Sequence, residues 1–108
     1  DASYRVPGAR GLYAIGDCAH VTDSATGRAD GKTCKEAAAQ AIRLGRIIAA
    51  DLAGRPAPLH NGYIDFFCFG LGPEQGMAWV RKWGIDIVFA GKLGWRMRKL
   101  TWDIASLL

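Results

Sequence analysis

The sequence predicts a small α+β fold: a short strand and a long helix, then an antiparallel hairpin or small sheet, then a terminal amphipathic helix. Two observations carry this prediction. Apolar residues at helical spacing follow a capping motif at Thr33, and the pattern stops at Gly54. Beyond Pro56, aromatic residues form two runs of strand length on either side of a glycine-rich turn. We therefore expect two parts, residues 1–55 and residues 56–108.

The first element is a short apolar run, residues 11–15, which ends abruptly in Gly16 and Asp17. Its composition predicts a strand that is covered on both faces. Because Gly16 has no Cβ atom, a ligand could approach the backbone there. Asp17 would present its carboxylate just beyond the strand end, where open α/β sheets bind their ligands. The alternative is that Asp17 only caps a turn.

The strongest local signal is a Thr-x-x-Glu capping box formed by Thr33 and Glu36, which predicts a helix over residues 33–53. Apolar residues recur at helical spacing along it and predict its buried stripe: Ala37, Ala41, Leu44, Ile48 and Leu52. The N–H groups of Cys34, Lys35 and Glu36 would point out of the first turn, where the helix dipole favours negative charge. This turn is therefore a second candidate binding site, and the alternative is an ordinary capped helix.

Three strands are predicted after the connector. Residues 63–69 and 77–83 are rich in aromatic residues and predict a hairpin, and residues 85–89 predict a third short strand. The spacing of Trp79 and Trp83 also suits a helix, so that alternative stays open for the second run. Clustered aromatic residues of this kind more commonly build a core than a ligand site.

The last segment, residues 91–108, predicts an amphipathic helix. Its apolar residues follow helical spacing: Leu93, Met97, Leu100, Ile104, Leu107 and Leu108. Basic residues occupy another side: Lys92, Arg96 and Lys99. A basic helix that carries tryptophan can lie on an anionic membrane surface. The alternative is that its apolar stripe packs on the hairpin.

Composition excludes several classes of function. The chain has 108 residues, half of them hydrophobic, and no run approaches the ~18–20 apolar residues of a membrane span. The opening residues show no basic region followed by an apolar one, so we expect no signal peptide. Cys18, Cys34 and Cys68 show no metal-ligand spacing and predict free thiols in a reducing cytoplasm, with a Cys18–Cys34 disulfide as the alternative. His20 is a lone loop histidine, for which we expect neither a catalytic nor a metal-binding role. The net charge of +4 is modest, and we expect no nucleic-acid partner.

Residues 12–19, Leu-Tyr-Ala-Ile-Gly-Asp-Cys-Ala, resemble the second flavin motif of the FAD-dependent pyridine nucleotide-disulfide oxidoreductases, most closely in the type II NADH dehydrogenase-like branch. The resemblance implies that residues 1–55 end an α/β FAD-binding domain and that residues 56–108 form a C-terminal hairpin and helix. It also implies that Asp17 hydrogen-bonds a ribityl hydroxyl of FAD, beside Gly16.

The same resemblance implies a role for the start of the long helix. Its first turn, with Cys34, Lys35 and Glu36, would face the pyrimidine edge of the flavin ring and stabilise negative charge on the reduced flavin. The family usually places small or neutral residues in this turn, and Lys35 and Glu36 depart from that pattern. Glu36 would oppose an anionic flavin unless the capping box holds its carboxylate away.

The implied activity is hydride transfer from NADH or NADPH to FAD, followed by electron transfer to a quinone or another acceptor. The sequence contains no G-x-G-x-x-G phosphate loop, so that half of the flavin site is expected in a longer parent enzyme. We expect the 108-residue segment alone to be inactive and to bind FAD weakly. It offers no predicted catalytic residue, and it lacks the C-terminal histidine that the disulfide reductases need.

The alternative function is a non-enzymatic interaction or dimerisation module whose basic helix binds a membrane or a partner protein. Strand 11–15 lacks neighbouring strands in this chain, and its unpaired edges favour a homodimer. The expected location is the cytoplasm, with peripheral contact between residues 91–108 and the cytoplasmic membrane.

Overall fold

A computed structural model describes residues 1–107, which form two compact units that divide after Tyr63. Unit 1, Asp1–Tyr63, contains a 3₁₀ turn at Gly16–Cys18 and helix α1 at Cys34–Leu52. Unit 2 begins at Ile64 and contains four elements: β1 (Asp65–Gly72), β2 (Gln75–Lys82), β3 (Ile85–Ala90) and α2 (Gly91–Ala105). The two helices and the antiparallel sheet confirm the predicted α+β class.

Helix α1 begins and ends where its sequence signals predict. The Thr33 N–H donates to Glu36 Oε2 at 2.7 Å, and the Glu36 N–H donates to Thr33 Oγ1 at 3.4 Å, which completes the capping box. At the other end, Gly54 adopts a φ of +62°, and the Arg55 N–H donates to the Ala50 carbonyl at 2.9 Å. This pattern is the glycine-terminated helix end that the sequence predicts.

The predicted apolar stripe of α1 is wrong as the buried face of the helix. Ile48 and Leu52 are exposed, whereas the buried positions are Glu36, Gln40, Ile47 and Ala50. These four residues also recur at helical spacing, but two of them are polar. Glu36 and Gln40 are buried because they hydrogen-bond backbone groups of the segment that precedes the helix. Ile47 packs in the small core of unit 1, with Tyr4 and Val21.

The strand predicted over residues 11–15 does not form. Tyr13 makes one isolated antiparallel bridge with Arg5, and the neighbouring residues are not in a strand. Residues 4–6 lie beside the run, where the Val6 N–H donates to the Leu12 carbonyl and the Ala14 N–H to the Tyr4 carbonyl, each at 2.9 Å, but the pairing does not extend beyond this one bridge. Glycines at both ends of the run, Gly11 and Gly16, have positive φ angles of +74° and +71° and turn the chain away from an extended path.

The connector after α1 belongs to unit 1. The His60 N–H donates to the Ala2 carbonyl at 2.8 Å, and the His60 side chain is buried against Tyr4. The division between the units therefore lies beyond the boundary at residues 55 and 56 that the proline-rich composition predicts.

Unit 2 is a three-stranded antiparallel sheet in the order β1-β2-β3, with α2 packed against it. Both neighbours of β2 pair with it, with one register shift in β1 between Gly70 and Gly72, so that Cys68 lies opposite Ala78, and Ala78 lies opposite Phe89. Cys68 Sγ lies 3.4 Å from Thr101 Oγ1 of α2, which places this row of the sheet beneath the helix. The sheet places the second aromatic run, predicted as a strand or a helix, in β2.

The predicted apolar stripe of α2 is also wrong as the side that packs on the sheet. Gly94 is the buried residue of the helix, whereas Leu93, Leu100 and Ile104 are each more than half exposed. Gly94 lies directly on the backbone of β2, because a Cβ atom there would come within 2.4 Å of the Gly76 carbonyl oxygen. Small residues allow this close approach, and the larger apolar residues consequently face away. Leu108, the last member of the predicted stripe, lies outside the described residues.

Candidate functional site

The 3₁₀ turn at Gly16–Cys18 packs against the first turns of α1, so unit 1 brings the two candidate site segments together. The Gly16 N–H donates to Gln40 Oε1 at 2.7 Å, and a Cβ atom at Gly16 would lie 3.8 Å from the Ala37 Cβ. The Lys32 ammonium donates to the Asp17 carbonyl at 2.9 Å. The turn is thus held from two sides, by α1 and by the loop before it.

Gly16 is required by the backbone of this turn. Its φ of +71° lies in the left-handed region that favours glycine, whereas the contact of an added Cβ with Ala37 would be an ordinary one. Asp17, the next residue, is exposed. Within the described residues its carboxylate takes part in no hydrogen bond or ion pair, and so it is available to a ligand. The sequence predicts Asp17 just beyond the end of a strand, whereas in the structure a 3₁₀ turn carries it.

The first turn of α1 carries the other three candidate residues: Cys34, Lys35 and Glu36. Cys34 is an exposed free thiol at the first helical position. Glu36 points back toward the preceding loop, where its carboxylate accepts the Gly31 and Thr33 N–H groups, each at 2.7 Å. Burial raises the pKa of Glu36, but these backbone hydrogen bonds outweigh burial and leave the pKa below its usual value.

The position of Glu36 decides the charge at the helix start. Its carboxylate is an anion that is held by backbone N–H groups of the loop, in the way the capping box predicts. The N–H group of Cys34 belongs to the first turn, where helical residues have no acceptor within the helix. The carboxylate therefore offsets part of the positive end of the helix dipole at the N-cap, and first-turn N–H groups such as that of Cys34 supply the remainder beside the turn that carries Asp17.

A buried polar chain runs from this turn across unit 1, and sequence reasoning missed it. The Gln40 amide links the Gly16 N–H to Asp30, with 2.7 Å between Gln40 Nε2 and Asp30 Oδ2. Asp30 Oδ1 lies 3.0 Å from His60 Nε2, and His60 Nδ1 lies 2.9 Å from the Tyr4 hydroxyl. Tyr4 and His60 are each 2% exposed and Gln40 is 3% exposed, so the chain is shielded from water along most of its length.

Arg43 closes the far end of this chain. Its Nη1 atom donates to the Tyr4 hydroxyl at 3.0 Å and lies 3.1 Å from His60 Nδ1. Burial raises the pKa of Tyr4, and the hydrogen bond from Arg43 offsets part of that effect. The side chains of this polar chain come from four separate segments of unit 1. The one sequence signal for it was that Gln40 and Arg43 lie off the apolar stripe of the helix.

Asp23 organises the loop between the turn and α1. Its carboxylate accepts the Gly62 N–H at 2.5 Å, the Ala25 N–H at 2.7 Å and the Thr26 N–H at 2.9 Å. These hydrogen bonds, that from Gly62 first, lower the pKa of Asp23 to about 2. The loop thereby joins the connector near His60, a middle member of the buried polar chain.

Acidification is expected to destabilise unit 1 through Asp23. Because its folded pKa is about 2 and its unfolded pKa is near 3.8, its contribution to the free energy of unfolding is complete above the unfolded value. The contribution falls as the pH drops toward the folded value, since the unfolded chain binds the proton first. Urea unfolding followed by tyrosine fluorescence between about pH 2 and pH 6 measures the slope.

The Asp23→Asn variant is the control for this slope. Glu36 and Asp51 also have lowered pKa values, so the wild-type chain keeps some pH dependence from them. The difference between wild type and Asp23→Asn isolates the contribution of Asp23, and it should shrink as the pH falls. A difference that stays constant across the range contradicts the prediction.

A groove of about 910 Å³ lies at the opposite end of α1 from the candidate site. It is lined by Asp51 and Leu52 at the end of the helix and by residues of the first segment, including Arg5 and Tyr13. Asp51 accepts hydrogen bonds from the Arg5 Nε atom at 3.1 Å and from the Tyr13 hydroxyl at 2.5 Å. The groove contains none of the five candidate site residues, and its Asp51 carboxylate is already hydrogen-bonded by Arg5 and Tyr13.

Other site types find little support within residues 1–107. Cys18, Cys34 and Cys68 are free thiols, His20 is exposed, and no cluster of three metal-binding side chains is present in this part of the chain. Neither described helix combines the length and the apolar character that crossing a bilayer requires.

Comparison with known proteins adds no relative. No protein-family model matches the chain, and no curated protein is significantly similar to it in sequence.

Proposed function

We propose that the chain is the C-terminal segment of a FAD-dependent NAD(P)H oxidoreductase of the type II NADH dehydrogenase-like branch, and that it completes the flavin site. The observation that carries the proposal is the packing of the Gly16–Cys18 turn, with the exposed Asp17, against the start of α1. When bound, FAD supplies the hydride acceptor for NADH or NADPH. The protein contributes orientation and electrostatics.

The residues at this site fit a flavin in three respects. Asp17 offers an unpaired carboxylate that can accept a hydrogen bond from a ribityl hydroxyl. The start of α1, at Cys34 and Lys35, offers the positive end of a helix dipole to the electron-rich edge of the ring. Glu36 is turned into the preceding loop, so its charge does not face that edge.

The Asp17 carboxylate gives the first test of this site. A chain extended upstream to include the missing phosphate loop should bind FAD, and Asp17→Ala should raise its dissociation constant about 10- to 100-fold through loss of a charge-assisted hydrogen bond. Flavin absorbance and equilibrium titration of the purified chain measure both results. Asp103→Ala, an exposed position in α2, is the matched control and should leave the affinity unchanged.

Two results would remove the proposal. If the extended chain carries no flavin and binds none on titration, the chain does not complete a flavin site. If it binds flavin and Asp17→Ala retains the wild-type dissociation constant, Asp17 is not part of the site. The 108-residue chain alone is expected to show no NADH or NADPH oxidation and weak FAD binding.

A second candidate function is membrane or partner binding by unit 2, and a specific observation favours it. One side of α2 exposes apolar residues, with Leu100 60% and Ile104 53% exposed, and basic residues such as Lys92 and Arg96 lie on the same helix. This arrangement suits a helix that lies on an anionic membrane surface. It is compatible with the oxidoreductase, since a quinone acceptor is dissolved in lipid. A cytoplasmic protein with peripheral membrane contact is the corresponding location.

Charged substitutions on this side of α2 test the membrane contact. The double variant Leu100→Glu and Ile104→Glu should lower co-sedimentation with phosphatidylserine vesicles about tenfold, because it removes inserted apolar area and adds negative charge. Ile42→Glu is the control, because Ile42 is equally exposed, at 60%, but lies on α1. Equal binding by wild type and the double variant would exclude α2 as the anchor.

Self-association is the remaining part of the interaction hypothesis. The unpaired edges expected for strand 11–15 do not exist, since that strand does not form. The sheet of unit 2 has two edge strands instead, β1 and β3, and β3 exposes the apolar residues Ile85, Ile87 and Val88. A homodimer of this chain would therefore use the β3 edge rather than residues 11–15.

A further inference from the structure

The buried polar chain of unit 1 ends on the backbone of the turn that carries Asp17. From this geometry we infer that Asp30, Gln40 and His60 are positioning residues that fix the Gly16–Cys18 turn for its ligand. The inference rests on the proposed flavin site, because it assigns the role of these residues toward that site. None of the three touches the ligand. They act through the Gly16 N–H and the path of the backbone into Asp17.

The direction of every hydrogen bond in the chain follows from Asp30. A carboxylate accepts hydrogen bonds and donates none, so it must receive the Gln40 NH₂ group at Oδ2. That requirement turns the Gln40 carbonyl oxygen toward the turn, where it accepts the Gly16 N–H at 2.7 Å. An amide flip would set the Gln40 NH₂ group against the Gly16 N–H, donor against donor. The orientation of Gln40 is thus determined by its buried partner.

The same carboxylate determines the tautomer of His60. Asp30 Oδ1 accepts the Nε2–H of His60 at 3.0 Å, and the Nδ1 atom is left as an acceptor. Its one lone pair accepts the Tyr4 hydroxyl at 2.9 Å, and the Tyr4 oxygen in turn accepts an N–H of Arg43 at 3.0 Å. Donors and acceptors are therefore matched from Arg43 to Gly16, and within residues 1–107 no buried side-chain polar atom lacks a partner.

Few other hydrogen bonds hold the turn itself, although the residues on either side of it, Ile15 and Ala19, pack against the core of unit 1. Ile15, which precedes it, provides no side-chain cap, and the Ala19 N–H makes the one backbone bond that closes it, to the Gly16 carbonyl at 3.0 Å. Two other side-chain hydrogen bonds reach the turn, from Cys18 Sγ to the Ile15 carbonyl and from Lys32 to the Asp17 carbonyl, and both are exposed. Because exposed hydrogen bonds compete with water, the bond from the Gly16 N–H to Gln40, whose side chain is buried, is the one best placed to fix the turn.

Amide hydrogen exchange of Gly16 tests the inference without any flavin. Gln40→Met keeps the length of the side chain but removes the acceptor, and Asp30→Asn keeps the shape but adds a donor that competes with Gln40. In the 108-residue chain, each variant should speed exchange at Gly16 about tenfold relative to amides in the middle of α1. Those α1 amides report opening of the whole unit and correct for general destabilisation.

Ile47→Val is the matched control, because it removes one methyl group from the buried core beside the same helix and leaves every hydrogen-bonding group of the polar chain in place. It should move Gly16 and the α1 amides together. If Gln40→Met leaves the relative exchange of Gly16 at the wild-type value, or if Ile47→Val raises it equally, the positioning role is wrong.

Flavin titration of the extended chain then connects the turn to the ligand. Gln40→Met should raise the FAD dissociation constant about tenfold, whereas Tyr4→Phe, at the far end of the chain, should change it less than about twofold. An extended polypeptide that binds no flavin overturns the proposed function. The exchange rate of the Gly16 amide still decides whether the buried polar chain holds the turn. Flavin binding that is indifferent to Gln40→Met, with Gly16 exchange accelerated, overturns the link between the turn and the ligand.

Discussion

Replacing Gly94 with alanine is expected to unfold unit 2, with a loss of about 3 kcal/mol or more in its free energy of unfolding. A Cβ atom at this position would lie 2.4 Å from the Gly76 carbonyl oxygen and 2.7 Å from the Phe89 carbonyl oxygen. Both obstacles are backbone atoms of the sheet, so no side-chain rotation can relieve the overlap. Helix α2 would have to move away from the sheet along much of its length.

Tryptophan fluorescence during urea unfolding measures this effect, because all four tryptophans of the chain lie in unit 2. Gly45→Ala is the control: it is the same substitution in the middle of the other helix, where an added Cβ atom would have no neighbour within 4 Å. Gly45→Ala should stabilise α1 by about 1 kcal/mol through backbone entropy. An unchanged fluorescence midpoint for Gly94→Ala contradicts the close contact of helix and sheet.

This contact shows where sequence reasoning about unit 2 ended. The aromatic runs and the glycine-rich turn identify the strands, and the helical spacing identifies α2. The side of α2 that packs on the sheet could not be predicted, because a prediction from apolar spacing assumes that the largest apolar residues are buried. Here two glycines meet, Gly76 on β2 and Gly94 on α2, and the close backbone approach excludes larger residues from the interface.

In unit 1, features that depend on neighbours in sequence were predictable, and features that depend on tertiary contacts were not. The capping box of Thr33 and Glu36 and the stop at Gly54 depend on neighbours in sequence, and the structure has them as predicted. Strand 11–15 depends on an extended partner, and the segment beside it pairs with it at a single bridge between Arg5 and Tyr13. The buried side of α1 depends on where Asp30 and the Gly16 backbone lie in space, which no periodicity encodes.

The candidate site divides in the same way. Gly16 and Asp17 stand out because a glycine-aspartate pair ends an apolar run, and the start of α1 stands out because of its cap. The residues that join these two segments carry no motif, since they come from distant parts of the chain. Of the two histidines, His20 lies in a loop where no catalytic or metal-binding role is expected, and it is exposed. His60 is 2% exposed, and both of its ring nitrogens are hydrogen-bonded.

These two histidines give the second large effect. His60→Ala should lower the free energy of unfolding of unit 1 by about 3 kcal/mol, because it leaves the buried Asp30 carboxylate without one of its partners and opens a cavity beside Tyr4. His20→Ala removes the same side chain from an exposed position and should change the stability by less than about 0.5 kcal/mol.

Unit 1 is followed by tyrosine fluorescence and by hydrogen exchange at the buried amides of α1, since the three tyrosines of the chain all lie in this unit. His60→Gln should restore part of the loss, because its amide can donate to Asp30 in place of the imidazole. Equal stability of His60→Ala and His20→Ala would show that the buried chain contributes nothing to the fold. A loss in His60→Ala that His60→Gln partly restores assigns the effect to the hydrogen bond with Asp30 and not to the volume of the ring alone.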